Sequence, residues 1–468
     1  MHKNKLSIII ALILTFSCVE AIFAQDGDSL PIYIVQPGEN LTEIAQKFNI
    51  SLQELINANT FVDVNLISAG TQLFIPGLEG VSGVLTTEPV NFGDSLRTIL
   101  LKNDLSLENF VKMNPVTSPT EIFVGSTLVL PQKTTESPAL SNIAIGINDS
   151  LLTSAVEKGV NPWTFSFEND LQPAYTLPGD VLFYLGGETV DHISVFSDQI
   201  SSIDVAPLPI SQGHTVAIYI YAKEMGNFSG TFGNKALAFF KDSENGFYYA
   251  LNGISAIADP GLTSLIISGQ FENGEQFTVE QNLLLTSGGY RSESLSVEQT
   301  TVEQDVIQSE SEQIQQILAP ISPEKLWTEP FRFPVDGSLT DDTIAFSSTF
   351  GSRRSYNNGQ YTGYHGGLDF SVVLMSLNIY APAPGKVIYT GQMNIRGNTL
   401  FIDHGQGVVS GYAHMQEFKV NVGDVVEQGQ LIGLIGKTGR VTGPHLHWDI
   451  FVNGTPVDPF DWVENRYP

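Results

Sequence analysis

Apolar positions between residues 33 and 76 recur at the spacing of short helices, and the same spacing returns 55 residues further on. Leu41, Ile44 and Phe48 share one face of a first predicted helix, and Leu52, Leu55 and Ile56 share one face of a second. Asn40 with Glu43, and Ser51 with Glu54, have the spacing of capping boxes that open the two helices. Each unit therefore reads strand, helix, helix, strand. Residues 88–131 align with 33–76 without a gap: Gly38 with Gly93, Leu41 with Leu96, Ile44 with Ile99, Asn59 with Asn114, Pro76 with Pro131. A weaker third copy follows. Asp149-Ser150-Leu151 match Asp94-Ser95-Leu96, Phe165 and Asn169 match Phe110 and Asn114, and after a one-residue deletion Gly179 matches Gly125.

The pattern then changes to alternation. His214–Ala222 (HTVAIYIYA), Lys235–Lys241 (KALAFFK) and Thr263–Gly269 (TSLIISG) read as strands separated by Gly, Asn and Pro. They predict an all-β sandwich over 196–290, immunoglobulin-like in architecture. His192 and His214 within it read as surface or core histidines, with no catalytic partners near them in sequence. Residues 292–318 hold six acids and no Lys or Arg. A stripe of Val302, Ile307, Ile314 and Ile317 makes 291–327 an acidic linker or one helix packed on a neighbour, ended by Pro320 and Pro323. From 328 to 468 the chain is again rich in short strands and glycine turns.

A chain of 468 residues is too long for one core. The start, Met1-His2-Lys3-Asn4-Lys5 followed by an apolar run from Leu6 to Phe16, has the charge and length of a secretory signal, with cleavage expected after Ala24. No later stretch is long and apolar enough to span a bilayer by hydropathy. The single cysteine, Cys18, lies in that segment. Thr15-Phe16-Ser17 lacks the leucine usual before a lipid-anchored cysteine, which favours a cleaved over an anchored product. The formal charge of −28 is uneven: residues 25–327 carry 36 acids and 11 bases, and residues 328–468 carry 13 acids and 9 bases. Such a surface repels nucleic acid and anionic lipid, so attachment to an anionic polymer has to come from specific contacts.

Five of the eight histidines fall between 365 and 447. His365 and Asp369 are four apart in HGGLDF, His414 lies in GYAHM, and His445 and His447 are two apart in GPHLHWD. Alternate side chains of a strand share a face, so both spacings aim two groups into one pocket, while Leu446 points the other way into the core. Imidazole nitrogen and carboxylate oxygen are the usual zinc donors, and a three-ligand site leaves a position for water.

These segments resemble the lysostaphin-type (LytM-like) zinc endopeptidases, whose pattern is H-x-G-x-D, then Y-x-H, then T-G-P-H-x-H. Here they are His365, Gly367 and Asp369; Tyr412 and His414; and Thr442, Gly443, Pro444, His445 and His447. The resemblance runs from about Phe333 to Trp462 and includes FGSRR (Phe350–Arg354), APAPGKV (Ala381–Val387) and IDHGQG (Ile402–Gly407). It implies a β-rich peptidase domain of duplicated hybrid motif, one Zn2+ ion on His365, Asp369 and His447, and catalytic roles for His414 and His445. His404 matches a position that is neither, and reads as structural. Two histidines that bind no metal beside such an ion serve proton transfer and oxyanion stabilisation, because histidine titrates near neutrality.

The repeats at 31–77 and 87–132 resemble LysM modules, and 143–186 a degenerate copy. That resemblance implies small βααβ folds that bind N-acetylglucosamine-containing glycans such as peptidoglycan. It places the glycan site at Gly38, Glu39, Asn40 and Asn59 in the first module, and at Gly93, Asp94, Ser95 and Asn114 in the second. Together the resemblances imply a secreted or periplasmic, wall-associated peptidoglycan endopeptidase that cuts peptide stems or cross-bridges. Two rivals remain on sequence alone. Val420–Gly436 resembles a hairpin of biotinyl and lipoyl carriers, although Lys386 and Lys437 lack the carrier context. A non-enzymatic activator of a wall amidase would use the same fold without a complete ligand set. Asn357 and Asn358, just before His365, are candidates for a side chain that fills the fourth metal position, or for an exposed turn.

Overall fold

The computed structural model describes residues 30–468 apart from 61–66, 79, 115, 117, 119–120, 133–139, 146–149, 170, 172–175, 177–180, 186–198, 297–302, 338–343, 360 and 372–376. The signal-like segment 1–24 with Cys18, and Asp149, Gly179 and His192, lie outside the described residues. The chain divides into two compact units, Met1–Leu85 and Thr86–Pro468.

In the first unit, strand Ile32–Ile34 pairs antiparallel with Gln72–Phe74 and parallel with Val84 and Leu85. Helices Leu41–Lys47 and Leu52–Ala58 lie between them, both opened by the expected capping boxes. Leu41, Ile44, Phe48 and Leu55 are buried with Tyr33 and Leu73. Leu52 is not: it is 39% exposed, because the second helix turns only Leu55 fully inward.

The second unit contains two more repeats of this order. One has helices Leu96–Lys102 and Leu107–Met113 with closing strand Thr127–Pro131, around Val90, Ile99, Phe110, Leu128 and Leu130. The other pairs Leu140–Ala144 with Val181–Leu185 around helices Leu151–Lys158 and Pro162–Glu168. All three repeats share one asparagine. Asn59, Asn114 and Asn169 each donate from the side-chain amide to a carbonyl of the second helix (Leu55, Phe110, Phe165) and to a carbonyl of the last strand (Phe74, Val129, Phe183). In each, the side-chain oxygen accepts from that strand residue's N–H. One polar side chain thus ties helix to strand and meets the backbone's hydrogen-bonding demand in a small core.

Residues 199–286 form two sheets around one apolar core that includes Val216, Ile218, Ile220, Leu265 and Ile267. KALAFFK, read as one strand, breaks at Phe239: Lys235–Ala238 joins the five-stranded sheet and Phe240–Lys241 the four-stranded one. The expected linker also differs from its reading at its start. Ser292–Leu295 pairs parallel with Arg353–Tyr356 and so belongs to a sheet of the C-terminal part. Helix Gln304–Leu318 packs Ile314, Ile317 and Leu318 on Met393, Phe401, Val409 and Phe451.

The C-terminal part is built on a sheet whose neighbours run Phe346–Ser348, Leu368–Ser371, His445–Val452, Val408–Ala413, Gly397–Gly405, Gly385–Met393 and Val425–Val426. A smaller sheet places Leu431–Ile435 between Asn378–Tyr380 and Met415–Phe418. Val420–Gly436, the carrier-like stretch, is therefore divided between the two sheets. Leu446, Trp448 and Ile450 are fully buried in the main core with Leu368, Phe370 and Tyr412. Among the described residues no helix is long and apolar enough to cross a membrane.

Candidate active site

Strand pairing brings the histidine segments together. Asp369 stands opposite His447 across one ladder, and Ala413 stands opposite the same residue across the next, so the strand carrying HLHWD is central. Its inward residues, Leu446 and Trp448, anchor it; its other face presents His445, His447, Asp449 and Phe451 in succession. His365 is fixed by its backbone: its N–H donates to Ser352 O and its carbonyl accepts from Gly351 N–H, both within the FGSRR segment. Gly367 runs so close to the central strand that a Cβ there would lie 2.2 Å from Trp448 O.

His365 Nε2, His447 Nδ1 and Asp369 Oδ1 converge, at 2.8 to 2.9 Å from one another. Their remaining polar atoms are committed. His365 Nδ1–H donates to Thr349 O at 2.9 Å, and His447 Nε2–H donates to Asp449 Oδ1 at 2.6 Å. Arg354 donates to Asp369 Oδ2 at 3.0 Å, leaving Oδ1 for the centre. With those tautomers three lone pairs point into one space, an arrangement that needs a positive charge there. A divalent cation fits it by donor chemistry, two imidazoles and a carboxylate.

The electrostatics agree. Burial works to raise the Asp369 carboxyl, but His365 and His447 outweigh it and hold it well below the usual carboxylate range. Burial alone would lower His447, but the Asp449 and Asp369 carboxylates outweigh that and raise it, a proton at Nδ1 standing where a cation would. Burial lowers His365.

His414 and His445 complete the wall, their rings 4.7 Å apart. Each has its Nδ1 tied to a backbone carbonyl, Thr438 O at 2.8 Å and Gly443 O at 2.9 Å, which leaves Nε2 available. His445 Nε2 is 3.8 Å from Asp369 Oδ1. Burial first, then the charges of His445 and His447, push His414 well down, so it is a neutral base at pH 7. Its backbone is left-handed at φ 60, unusual for a residue with a side chain and common at functional positions. These groups line a cleft of about 460 Å³ together with Arg396, Arg440 and Glu310.

His404 stands apart from the cleft. It is fully buried, with Nδ1–H donating to Pro384 O at 2.7 Å and Nε2 2.8 Å from Ser410 Oγ. Asn357 and Asn358 occupy a hairpin turn with left-handed φ values of 49 and 60, and the residues lining the cleft include neither. Asp449, Arg396, Arg354 and Glu310 were not singled out by sequence. The alternation of H-x-H-x-D signalled only Asp449, one strand step beyond His447.

The residues expected to bind glycan have local structural roles, as turn glycines, helix caps, ion pairs or backbone clamps. Gly38 and Gly93 adopt φ values of 86 and 87, and Asn40 and Ser95 cap helices. Glu39 pairs with Lys47, and Asp94 with Lys102 at 2.6 Å. Asn59 and Asn114 have their amides bound to backbone, as above. In the second repeat the expected loops also face the sandwich: Gly93 N–H donates to Gln281 at 2.7 Å, and Phe92 and Val124 join the sandwich core.

Residues 363–459 match peptidase family M23, and residues 33–76 and 90–131 match the LysM domain. The chain is 37% identical over 127 residues to the peptidoglycan DD-endopeptidase ShyA of Vibrio cholerae, a match covering 27% of this chain and 28% of that one. It is 39% identical over 95 residues to the DD-carboxypeptidase/endopeptidase Mpg of Neisseria meningitidis, covering 20% of this chain and 22% of that one. The aligned part is thus under a third of each relative's length. Among solved structures, a putative peptidase M23 from Pseudomonas aeruginosa aligns at a TM-score of 0.38 with 27% identity, over 51% of this chain and 88% of that one. The catalytic domain of lysostaphin from Staphylococcus simulans aligns at 0.23 with 29% identity, over 28% of this chain and all of that one.

Proposed function

We propose that this chain, which carries an M23 peptidase domain and two LysM domains, is a zinc-dependent peptidoglycan endopeptidase acting on peptide stems or cross-bridges outside the cytoplasm, in the periplasm or as a secreted protein. The observation that carries this is the convergence of His365 Nε2, His447 Nδ1 and Asp369 Oδ1, with two further histidines on the same cleft. His365, Asp369 and His447 would hold one zinc ion, which when bound would supply Lewis acidity towards a carbonyl oxygen and lower the pKa of a water towards about 7. The protein's own part is proton handling and orientation. His414 Nε2 accepts the proton of the attacking water, and His445, whose Nδ1–H is given to Gly443 O, donates from Nε2 in its imidazolium form to the oxygen on which charge develops. Arg354 and Asp449 fix the orientation of Asp369 and His447.

Attachment to the glycan falls to the LysM modules. With the second module's loops against the sandwich, we assign it first to Gly38, Glu39, Asn40 and Asn59, through backbone groups rather than the engaged asparagine amide. We divide the chain at 31–77, 87–132, 143–186, 196–290, 291–327 and 328–468, and take the sandwich as immunoglobulin-like on its two antiparallel-rich sheets.

Metal content by mass spectrometry, beside hydrolysis of a soluble stem peptide, tests the roles. His365→Ala, Asp369→Ala and His447→Ala should lose zinc. His414→Ala and His445→Ala should keep about one equivalent and lose roughly a hundredfold or more in rate. Zinc retained in His447→Ala but lost in His445→Ala would reverse the two assignments, and undiminished hydrolysis in all five would end the zinc-site reading.

A further inference from the structure

The turn Asn394–Arg396, between strands Gly385–Met393 and Gly397–Gly405, is held from outside the family-matched segment. Glu310 of the helix Gln304–Leu318 is 5% exposed, and its two carboxylate oxygens accept from Ile395 N–H at 2.6 Å and Arg396 N–H at 3.0 Å. A buried carboxylate is stable only when so paired. Arg396 is also where two limbs of the active site begin. Its carbonyl accepts from His414 N–H at 2.8 Å, which supports the left-handed backbone of that residue. Its guanidinium forms an ion pair with Asp449 Oδ2, and Asp449 Oδ1 holds His447 Nε2.

We propose that Glu310 is a positioning residue for the metal centre, acting through Arg396 on both Asp449–His447 and His414. The proposal rests on the zinc-site reading above. The helix cannot be a passive tether in this arrangement. Its Ile314, Ile317 and Leu318 pack beside Phe451, on the same strand face that presents His445, His447 and Asp449, and its Ile307, Glu310 and Ser311 line the cleft. The orientation of a metal-binding imidazole depends on the acceptor at its other nitrogen, and loss of such a partner typically weakens metal binding about 10- to 100-fold. A peptidase fragment that starts near residue 328 would lack this clamp.

The test measures zinc affinity of the full chain by competition with a chromophoric chelator, for Glu310→Gln, Asp449→Asn, the double variant and Gln308→Ala, an exposed position on the same helix. Glutamine keeps the shape but removes the charge and one acceptor. Asp449→Asn should weaken zinc about 10- to 100-fold and Glu310→Gln about tenfold. The double variant should bind about as weakly as Asp449→Asn alone, because both act through one chain of contacts. Gln308→Ala should bind as the unmodified chain does. Unchanged affinity in Glu310→Gln, even with a lowered melting temperature, overturns the proposal, as do effects that multiply in the double variant. If Glu310→Gln does not fold, Arg396→Lys leaves the Glu310 contacts intact and interrupts the limb to Asp449; unmodified-level affinity in it overturns the proposal equally. Failure of the unmodified chain to take up zinc refutes the underlying site reading instead.

Discussion

His404 gives a measurable pH dependence that does not depend on whether a metal ion is bound. Burial pushes its pKa down from 6.5 to about 4, and its contacts explain why the neutral form is required. Nδ1–H donates to Pro384 O, Ser410 donates to Nε2, and Tyr412 OH, also fully buried, lies 2.9 Å from Ser410 Oγ. A proton on Nε2 would oppose the Ser410 donor. In the unfolded chain the ring titrates near 6.5, so below that pH the unfolded state binds more protons than the folded state. Stability is therefore fully present above 6.5 and falls as pH drops from 6.5 towards 4. At about 1.4 kcal/mol per unit, the loss from this one group by pH 4 is about 3 kcal/mol. Chelator-treated protein removes metal-linked protonation from the comparison. Trp327, Trp448 and Trp462 are all buried in this domain's core, so their fluorescence during guanidinium unfolding reports its stability. Comparing His404→Asn with the unmodified chain at pH 7 and pH 4, the variant should be weaker at pH 7 but lose about 3 kcal/mol less on acidification. Parallel losses in the two proteins would refute the reasoning.

Three further outcomes follow from the packing. Asn114→Ala deletes three hydrogen bonds and takes the side-chain partner from the buried Val129 N–H and C=O, while Phe110 O keeps the backbone N–H of residue 114; this should cost about 2 to 4 kcal/mol and appear as fast hydrogen exchange across 90–131. Gly367→Ala drives a Cβ against Trp448 O, so it should part the strands bearing Asp369 and His447, with loss of zinc and about 3 kcal/mol or more of stability by thermal melting. Deleting 25–85 should reduce sedimentation with insoluble peptidoglycan while leaving hydrolysis of a soluble peptide unchanged, because the cleft lies wholly in residues 86–468.

What was readable in the sequence was what local spacing determines. H-x-G-x-D and H-x-H each bring two groups to one side of the chain within a few residues, and the capping boxes at Asn40 and Ser51 are closed within three residues of their start. The supports of those groups are long-range. Arg396 meets Asp449 across 53 residues and Glu310 meets Arg396 across 86, so no periodicity announces either pair. Such partners emerge only once strand order sets neighbours, here the placing of His445–Val452 between Leu368–Ser371 and Val408–Ala413.

Periodicity also names a face without saying what covers it, and the three repeats demonstrate the difference at one pair of positions. On the second helix of the first repeat, Gln53 donates to Asn57; on the second repeat, Glu108 pairs with Lys112. These i, i+4 pairs read as solvent-facing, and the structure puts them there. At the same positions the third repeat carries Trp163 and Phe167, which an apolar pattern assigns to a core. They are 82% and 84% exposed, because Phe165, between them, fills the core beneath the helix, and the helix has only one inward face. The inward position is therefore fixed by one buried apolar residue, Leu55, Phe110 or Phe165, and by the Asn59, Asn114 or Asn169 clamp that all three repeats carry. The residues on the outer face are free to diverge, and hydrophobicity alone gives the wrong side.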